Sequence, residues 1–365
     1  MTFSMRLLRA DKIRRVLSAL LAVVMIIVCA CAMTGCGHRD EKEVRVFCYG
    51  DYIDPAVVKS FQKETGIKVV LDTYDTVEEM YPVIKNRAGV YDVICPSDYM
   101  VERMINEGLL AEIHTESMPH YKNIGRRYLK IADESYDPGN RYSVPYQYGV
   151  AGIMYNKKKL GKDSVTSWND LWRKKYKGKI LMQDSLRDTM GISLKSLGFS
   201  LNSVKEKQLA AAARHLIAQK PLVYKYANDS ARDLLIGNSA DLGVVWNGEV
   251  LYSQKLNSDL AFVVPREGTE IFIDSWCIPR NAFHKDNARK FIDYMCRADV
   301  AYRNFEYLTY STPNDAARRM MPAKLRNSEI LFPSDKMLEK SESLRDVGPD
   351  GDELYSRYWK IFKSK

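Results

Sequence analysis

The stretch "LAFVVPREGTEIFIDSWCIP", residues 260–279, is a long extended run of mainly apolar residues with little helical periodicity. A similar run, "YSVPYQYGVAGIMYN", spans residues 142–156. Around these two runs, short strands alternate with amphipathic helices, which is the pattern of an α/β fold. Two long strands between two α/β blocks predict a chain that crosses twice between two lobes. We therefore expect a binding site in the cleft between the lobes.

The N-terminal block shows the alternation most clearly, and a chain of 365 residues is too long for one compact core. Predicted strands cover residues 43–49, 67–74 and 91–97, and predicted helices cover residues 54–66, 76–87 and 98–108. Pro55 suits the first turn of its helix, and Gly66 suits the C-terminal end of that helix. This order of strands and helices predicts a doubly wound, largely parallel sheet.

The first 35 residues have the pattern of an export signal and are set apart from the fold. Five basic residues precede an almost wholly apolar stretch, residues 16–32, which is followed directly by "MTGC", residues 33–36. This ending resembles the lipobox of bacterial lipoproteins, in which the cysteine is diacylated and becomes the new N-terminus. We expect a lipoprotein signal peptide at residues 1–35, lipidation of Cys36 and a solvated tether over residues 36–42. An uncleaved membrane anchor is the alternative.

Lipidation predicts that the mature protein lies on the extracytoplasmic face of the cell membrane, held by the lipid bilayer through Cys36. In a Gram-negative cell this location is the periplasmic space. The formal net charge of the chain is +9, which suits an anionic partner. Because this pattern predicts export, we expect that partner to be the membrane surface and expect no binding of nucleic acid. We also expect a monomer.

Cysteine and histidine usage predicts no metal site, and we expect no cofactor. Of the seven cysteines, Cys29 and Cys31 lie in the predicted signal peptide and Cys36 is the predicted lipidation site. The other four form no CxxC pair, and the five histidines are scattered along the chain. Cys48 and Cys95 end neighbouring strands of the predicted 2-1-3 sheet, so a disulfide and two free thiols are both open.

Enzyme signatures are weak, and no catalytic residues are predicted. The sequence has none of the motifs GxSxG, HExxH, GxxxxGK[ST] and GxGxxG. A carboxylate pair of the kind that glycosidases use stays open, because the chain has 46 acidic residues and nothing selects two of them. An exported enzyme is therefore the rival class to a binding protein.

Asp274 is the one charged residue in the apolar run from Ile271 to Ile278. A buried carboxylate has to be paired, hydrogen-bonded or protonated. Aromatic residues beside acids also follow several predicted strands, where ligands bind in open α/β sheets. Because aromatic faces attract cations, this combination favours an organic ammonium over a sugar or an anion. A salt bridge to Lys or Arg, or capping of backbone N–H groups, is the alternative for Asp274, and core packing is the alternative for each ring.

From about Val44 to the C-terminus, the chain resembles the spermidine/putrescine-binding proteins of bacterial polyamine importers. The shared motifs include "YGDYIDP" (49–55), "YDVICPSDYMVERM" (91–104), "YSVPYQYG" (142–149), "DSLRD" (184–188), "LGVVWNG" (242–248), "PREGTEIFIDSWCIP" (265–279) and "STPN" (311–314). Their order and spacing carry the resemblance, because each motif alone is weak. The resemblance implies a two-lobed periplasmic-binding-protein clamshell, of class α/β, with doubly wound sheets joined by hinge strands. It also implies a protein that is not an enzyme and that delivers its ligand to the membrane permease of an ABC importer.

The family's ligand-binding positions carry over motif by motif onto this chain. They fall on Tyr49, Gly50, Tyr52, Ser97, Tyr99, Ser185, Asp188, Trp246, Phe272, Asp274 and Tyr310. The family commonly has two carboxylates in the "DSLRD" motif, and here the first of them is Ser185, which leaves Asp188. A position that is often glutamine in the family is Leu344 here. The resemblance therefore implies an aromatic box with smaller rings and with two polar contacts missing.

The resemblance implies a lobe one of residues 43–147 with 275–318, and a lobe two of residues 148–273 with 319–365. The expected function is capture of polyamines, putrescine and/or spermidine, by a lipid-anchored solute-binding protein. The alternative ligands are another cationic solute, such as a ferric ion or a thiamine-like cation, and an amino acid. With Asp188 and Asp274 as the clear acids, we expect putrescine to bind at least as tightly as spermidine, whereas a third cleft carboxylate would reverse this order.

Overall fold

The computed structural model describes residues 41–161, 164–228 and 230–365. The predicted signal peptide, Cys36 and the tether up to residue 40 lie outside the described residues. The described residues form eleven strands: β1 (Glu43–Tyr49), β2 (Lys68–Tyr74), β3 (Val93–Ile94), β4 (Leu110–Ala111), β5 (Ser143–Asn156), β6 (Ile180–Met182), β7 (Val223–Tyr226), β8 (Leu242–Trp246), β9 (Leu260–Val263), β10 (Glu270–Pro279) and β11 (Glu342–Ser343).

The same ranges contain fifteen α-helices: α1 (Pro55–Thr65), α2 (Val77–Asn86), α3 (Asp98–Asn106), α4 (Arg126–Ser135), α5 (Lys157–Leu160), α6 (Leu186–Ser196), α7 (Glu206–Gln219), α8 (Ser230–Ile236), α9 (Gly248–Leu256), α10 (Lys285–Met295), α11 (Ala298–Leu308), α12 (Asp315–Met320), α13 (Ala323–Arg326), α14 (Asp335–Leu338) and α15 (Gly348–Ser364). Short 3-10 helices cover Thr115–Ser117, Tyr121–Asn123, Trp168–Trp172, Lys174–Tyr176 and Lys220–Leu222. No helix within these ranges combines the length and the hydropathy that are needed to span a bilayer.

The N-terminal strands and helices lie close to their predicted positions. β1 pairs in parallel with β2 and β3, which confirms the predicted 2-1-3 strand order. The predicted helix over residues 54–66 is α1, with Pro55 at its first position and Gly66 in the left-handed conformation (φ 69°) after its end. The predicted strand 91–97 is wrong at both ends, since only Val93–Ile94 pair as a strand. Pro96 has no N–H group for a longer ladder, and α3 begins two residues later.

Two long antiparallel strands, β5 and β10, connect the two halves of the sheet. The strand order is β2-β1-β3-β10-β5-β8-β6-β7, with β4 and β11 beside β10 and with β9 beside β5. Every residue of β5 and of β10 is buried. The first half of β5 pairs with β10, and its second half pairs with β8 and β9, so this one strand belongs to both halves. β5 matches the predicted extended run over residues 142–156, and β10 matches the second half of the run predicted over residues 260–279.

The prediction of one extended run over residues 260–279 is wrong, because a turn separates β9 from β10. The Gly268 N–H group donates to the Pro265 carbonyl oxygen at 3.0 Å, and Gly268 has a φ of 84°. A Cβ atom at this position would lie 2.0 Å from the Lys340 carbonyl oxygen. Only glycine fits both the left-handed backbone and the close approach of the distant segment.

The buried apolar side chains of β5 belong to different hydrophobic clusters before and after the step from Val150 to Ala151. Tyr148 and Val150 pack with Ile271 and Ile273 of β10 and with the N-terminal helices. Ala151, Ile153 and Tyr155 pack with β6, β8, α7 and the C-terminal helix α15, which contributes Tyr355. Separate apolar cores thus form on the two sides of this point in the chain.

The four cysteines among the described residues, Cys48, Cys95, Cys277 and Cys296, are free and buried. A disulfide between Cys48 and Cys95 and two free thiols were both open from the sequence, and in the structure both residues are free thiols. Burial raises the pKa of the Cys48 thiol to about 12, and it also raises the pKa values of the other three thiols. Because the thiolate is the reactive form, these side chains serve as core packing groups.

Candidate functional site

Asp274 lies in the middle of β10, near the centre of the sheet, and only 5% of its surface is exposed. Its Cα partner on β5 is Gln147, and the pairing register shifts between Asp274 and Ser275. Asp274 also forms an isolated antiparallel bridge with Ser97, the residue before α3. β10 therefore brings a carboxylate from a distant part of the chain to the carboxyl end of β3.

Two hydroxyl groups hold the Asp274 carboxylate. Ser97 Oγ donates to Oδ1 at 2.6 Å, and the Tyr52 hydroxyl donates to Oδ2. The Tyr49 hydroxyl is hydrogen-bonded to Ser97 Oγ at 3.0 Å. In the part of the chain that the structure describes, no Lys, Arg or His is paired with this carboxylate. Hydroxyl groups thus take the place of the salt bridge and of the backbone cap that were the alternatives.

Burial raises the pKa of Asp274 to about 6, and the hydrogen bonds from Ser97 and Tyr52 oppose this shift. Near neutral pH the group is therefore a desolvated carboxylate whose partners in the described structure are neutral. A cation that carries N–H donors would satisfy both its charge and its remaining lone pairs.

Tyrosine rings pack around the hydroxyl network on its N-terminal side. The ring centroids of Tyr49 and Tyr52 are 5.2 Å apart, and those of Tyr52 and Tyr146 are 5.7 Å apart, both with edge-to-face geometry. The Tyr146 hydroxyl donates to the Tyr52 carbonyl oxygen at 2.8 Å. These contacts fix the Tyr52 ring and hydroxyl beside Asp274.

A second aromatic group consists of Trp246, Phe272 and Tyr310. The ring centroid of Phe272 is 4.9 Å from that of Trp246 and 6.3 Å from that of Tyr310. Phe272 packs directly on Gly149 of β5, where a Cβ atom would lie 2.4 Å from the ring. Phe272 and Asp274 are two residues apart on β10 and so face the same side of the sheet. The second aromatic group therefore adjoins the carboxylate.

Tyr99 lies near the site but already has partners within the protein. Its hydroxyl donates to Glu78 Oε1 at 2.6 Å, and the guanidinium group of Arg187 lies 5.8 Å from its ring centroid. Arg187 is itself fixed by hydrogen bonds to the Arg345 carbonyl oxygen at 3.3 Å. The Tyr99 ring thus already lies beside a cation of the chain itself.

Glu270 is a buried carboxyl group that the motif resemblance did not select. Its exposed fraction is 8%, and a hydrogen bond joins its side chain to that of Asp188. Burial raises the pKa of Glu270 well above its usual range, the neighbouring Asp188 and Asp98 raise it further, and the Arg187 guanidinium group opposes the shift. Glu270 therefore keeps its proton and donates it in the hydrogen bond to Asp188.

The alternation of side chains along a strand is the sequence signal that could have found Glu270. Residues 270, 272 and 274 face the same side of β10, and four residues of strand span about 13 Å. One face of β10 thus presents an acid, an aromatic ring and a second acid in a row. This row suits an elongated ligand with separated cationic groups.

Among the described residues, neither Gly50 nor Ser185 forms a hydrogen bond with the Asp274 side chain. Gly50 is exposed, and a Cβ atom there would meet no heavy atom within 4 Å, so the position does not require glycine. Ser185 is half-buried before α6, and its side chain makes no capping hydrogen bond. The other predicted residues fall into three groups: Tyr49, Tyr52, Ser97 and Asp274; Trp246, Phe272 and Tyr310; and Tyr99 with Asp188.

Within residues 41–161, 164–228 and 230–365, no group of three or more His, Cys, Asp or Glu side chains is placed to hold a metal ion. The acids of the site are separated, because Asp274 is bonded to hydroxyl groups in the middle of β10, whereas Glu270 is bonded to the Asp188 carboxyl group at the start of that strand. An extended organic cation fits these separated oxygen atoms better than a single metal ion, which needs converging ligands.

Comparison with known proteins places the chain among bacterial binding proteins. A family model described as bacterial extracellular solute-binding protein matches residues 56–332. The chain is 33% identical over 336 residues to the spermidine/putrescine-binding periplasmic protein of Salmonella typhimurium, which covers 92% of this chain and 95% of that protein. It is 27% identical over 343 residues to the putrescine-binding periplasmic protein PotF of Escherichia coli, covering 89% and 92% of the two chains.

Among solved structures, the chain is similar to the spermidine/putrescine ABC transporter substrate-binding protein PotD of Streptococcus pneumoniae. The TM-score is 0.79 and the sequence identity is 33%, over 88% of this chain and 99% of that chain. This similarity confirms the predicted fold class, a two-lobed α/β fold.

Proposed function

The chain belongs to the bacterial extracellular solute-binding protein family, and we propose that it captures polyamines outside the cytoplasmic membrane and delivers them to the permease of an ABC importer. Relatives named for binding spermidine and putrescine match over most of both chains, which supports this ligand class. In this proposal the protein binds its ligand and releases it unchanged, without a catalytic role.

The observation that carries the proposal is the buried Asp274 carboxylate, which is held by neutral hydroxyl groups and lies beside two groups of aromatic rings. An ammonium group supplies the charge and the donors that this carboxylate lacks, and each aromatic face adds ~0.5–2 kcal/mol of attraction. Asp188 and Glu270, at the other end of the row on β10, offer oxygen atoms to a second cationic group. A polyamine has cationic groups at such separated positions.

The proposal includes a lobe one of residues 43–147 with 275–318 and a lobe two of residues 148–273 with 319–365. The change of apolar clusters between Val150 and Ala151 supports a boundary within β5. Ligand bound between the lobes draws them together by bending at the strands that connect them, and the permease recognises the closed form. The protein acts as a monomer.

Calorimetric titration of residues 37–365 with putrescine, spermidine and ferric citrate tests the ligand class. We expect saturable binding of at least one polyamine and no binding of ferric citrate. Binding of ferric citrate alone, or of neither polyamine, would contradict the proposal. Chemical conversion of a bound polyamine would show an enzyme instead.

Polyamine affinity should fall as the pH drops below about 6, because Asp274 has to be ionised to pair with an ammonium group and burial raises its pKa to about 6. Each pH unit below this value should weaken binding by up to about tenfold, and this carboxylate should add little further affinity above it. Titrations at about pH 5 and about pH 7.5 measure the effect. Asp274→Asn should remove this step, and an equal affinity of the wild type at both pH values would show that Asp274 does not pair with the ligand.

The proposed location is the extracytoplasmic face of the cell membrane, where diacylated Cys36 holds the protein to the bilayer. The support is the sequence pattern of a basic start, an apolar run and "MTGC", all outside the described residues. Two acyl chains give stable anchoring, whereas one gives only reversible binding. The anchor would keep the binding protein close to its permease.

Cys36→Ser should abolish incorporation of labelled palmitate and leave an unprocessed precursor, because the thiol that accepts the lipid is gone. Labelling in cells followed by electrophoresis measures both effects. Cys31→Ser is the matched control, since this cysteine lies in the apolar run and should not carry lipid. A Cys36→Ser protein that is labelled and processed like the wild type would rule out this attachment site.

A further inference from the structure

Gln147 lies beside Asp274 in the site. The two residues are Cα partners across the β5–β10 pair, and partners in antiparallel strands direct their side chains to the same face. Only 1% of the Gln147 surface is exposed. Two residues further along β5, Gly149 packs under the Phe272 ring, so this face of β5 also adjoins the second aromatic group.

The side-chain oxygen of Gln147, Oε1, has no hydrogen-bond partner among the described residues. Elsewhere on the same side chain, a hydrogen bond joins Gln147 to the Tyr146 hydroxyl. Native proteins contain few buried acceptors without a donor, because such a group loses its hydrogen bonds to water on folding. A buried acceptor beside a carboxylate that no cation of the described residues neutralises points to a donor that the ligand supplies.

We propose that Gln147 Oε1 accepts a hydrogen bond from the same primary ammonium group that pairs with Asp274. This inference rests on the proposed polyamine function and adds a specificity-determining residue to that site. A primary ammonium group has three N–H donors, and the Asp274 oxygens already accept hydrogen bonds from Ser97 and Tyr52. The Asp274 carboxylate therefore cannot accept all three N–H groups of the ammonium, and Gln147 Oε1 accepts one of those that remain. Because a methylated amine has fewer N–H groups, Gln147 favours primary amines.

The matched variants Gln147→Leu and Gln219→Leu test this role. Gln219 is also fully buried with an unpartnered Oε1 among the described residues, but its Nε2 donates to the Leu171 carbonyl oxygen in the C-terminal core. Gln147→Leu should weaken binding of putrescine and spermidine by about tenfold, as for loss of a hydrogen bond to a charged group. Gln219→Leu should bind both like the wild type. Calorimetry gives the affinities, and thermal unfolding shows that each variant is folded.

A second measurement uses a change in the ligand. N,N,N′,N′-tetramethylputrescine keeps both charges of putrescine but has a single N–H donor at each end. The wild type should bind putrescine at least about tenfold more tightly than the tetramethyl compound, because the methylated amine cannot serve both acceptors. In Gln147→Leu this difference should become much smaller.

The outcomes separate the inference from the function on which it rests. A Gln147→Leu protein could unfold at a higher temperature and bind putrescine and its tetramethyl derivative with the affinities of the wild type. This result would show that the unpartnered Gln147 Oε1 is only a packing defect, and it would overturn the inference but not the proposed function. A wild-type protein that binds no polyamine would overturn the proposed function, and the inference would fall with it.

Discussion

Asp274→Asn should weaken polyamine binding by about 2–5 kcal/mol, the usual effect of removing one charge of a buried, hydrogen-bonded pair. The substitution keeps the size and shape of the side chain but removes the charge opposite the ammonium group. The hydroxyl groups of Ser97 and Tyr52 then face a neutral amide. We expect at least about thirtyfold weaker binding of both putrescine and spermidine at about pH 7.5, measured by competition calorimetry.

The ligand-free Asn variant should be as stable as the wild type or more stable. Burial raises the pKa of Asp274 from 3.8 to about 6, so between these pH values the folded protein binds more protons than the unfolded chain. The free energy of unfolding therefore falls as the pH rises through this window, by up to about 3 kcal/mol, and stays lower above it. Because asparagine does not ionise, the stability advantage of the variant should grow from about pH 4 to about pH 6.

Asp137→Asn is the matched control, because Asp137 is a fully buried aspartate outside the candidate site. It accepts hydrogen bonds from the Ser143 N–H group at 2.8 Å and from the Ser143 hydroxyl at 2.7 Å. Burial raises the pKa of Asp137 as well, but the N–H groups of Arg141 and Tyr142 also donate to its oxygens, so an NH2 group at either oxygen position would face a donor. This control should therefore lose stability and keep its polyamine affinity. If Asp274→Asn behaves in that way instead, Asp274 has a structural role, and the main support for a polyamine ligand is lost.

The alternation of strands and helices in the N-terminal half could be predicted because it depends on local periodicity. The predictions failed where one residue changes the chemistry of the backbone. Pro96 shortens β3, and Gly268 makes a turn inside the run that was predicted as one strand. The second case also depends on Lys340, whose carbonyl oxygen fills the space beside Gly268. A contact over such a distance in sequence is not visible in local periodicity.

The composition of the candidate site could be predicted, but the partners of its residues could not. Asp274 was identified as an isolated charge in an apolar run. The hydroxyl groups that hold it come from Tyr52 and Ser97, which are 222 and 177 residues away in the chain. Tyr52 and Ser97 reach Asp274 because β1, β3 and β10 are neighbours in the sheet. Local sequence patterns do not determine this strand order across two lobes. Glu270 was missed for a different reason, since the resemblance selects only positions that the family uses.

Glu270 adds a carboxyl group to the site, and the expected order of affinities for putrescine and spermidine depends on the number of carboxyl groups. With Asp188 and Asp274 alone, a diamine is fully paired, and this was the basis for expecting putrescine to bind at least as tightly as spermidine. Asp184, another acid of the same motif, is exposed and paired with Lys363 at 2.7 Å. Glu270 is instead buried against Asp188 and supplies a third carboxyl group. We therefore expect spermidine to bind more tightly than putrescine, by about tenfold or more.

Glu270→Gln should weaken spermidine binding by about tenfold to a hundredfold and leave putrescine binding nearly unchanged. Glutamine has the shape of a protonated glutamic acid and can still donate to Asp188, but it cannot ionise. In the wild type the third ammonium group displaces the proton that Glu270 shares with Asp188, since a nearby cation favours the ionised acid. Competition titrations of both ligands against each protein measure the change in preference.

A measurement of proton release distinguishes two roles of Glu270. In one, Glu270 ionises and pairs with an ammonium group of spermidine, and in the other it stays protonated and orients Asp188. Spermidine binding to the wild type at neutral pH should release a proton, which appears as a dependence of the calorimetric enthalpy on the ionisation enthalpy of the buffer. Glu270→Gln should lose this dependence. Glu43→Gln, at the far end of β1, should keep it, because Glu43 is an equally buried acid that already pairs with Arg45 and Lys68. Equal losses of affinity for both ligands, without proton release in the wild type, would show that Glu270 stays protonated and only positions Asp188.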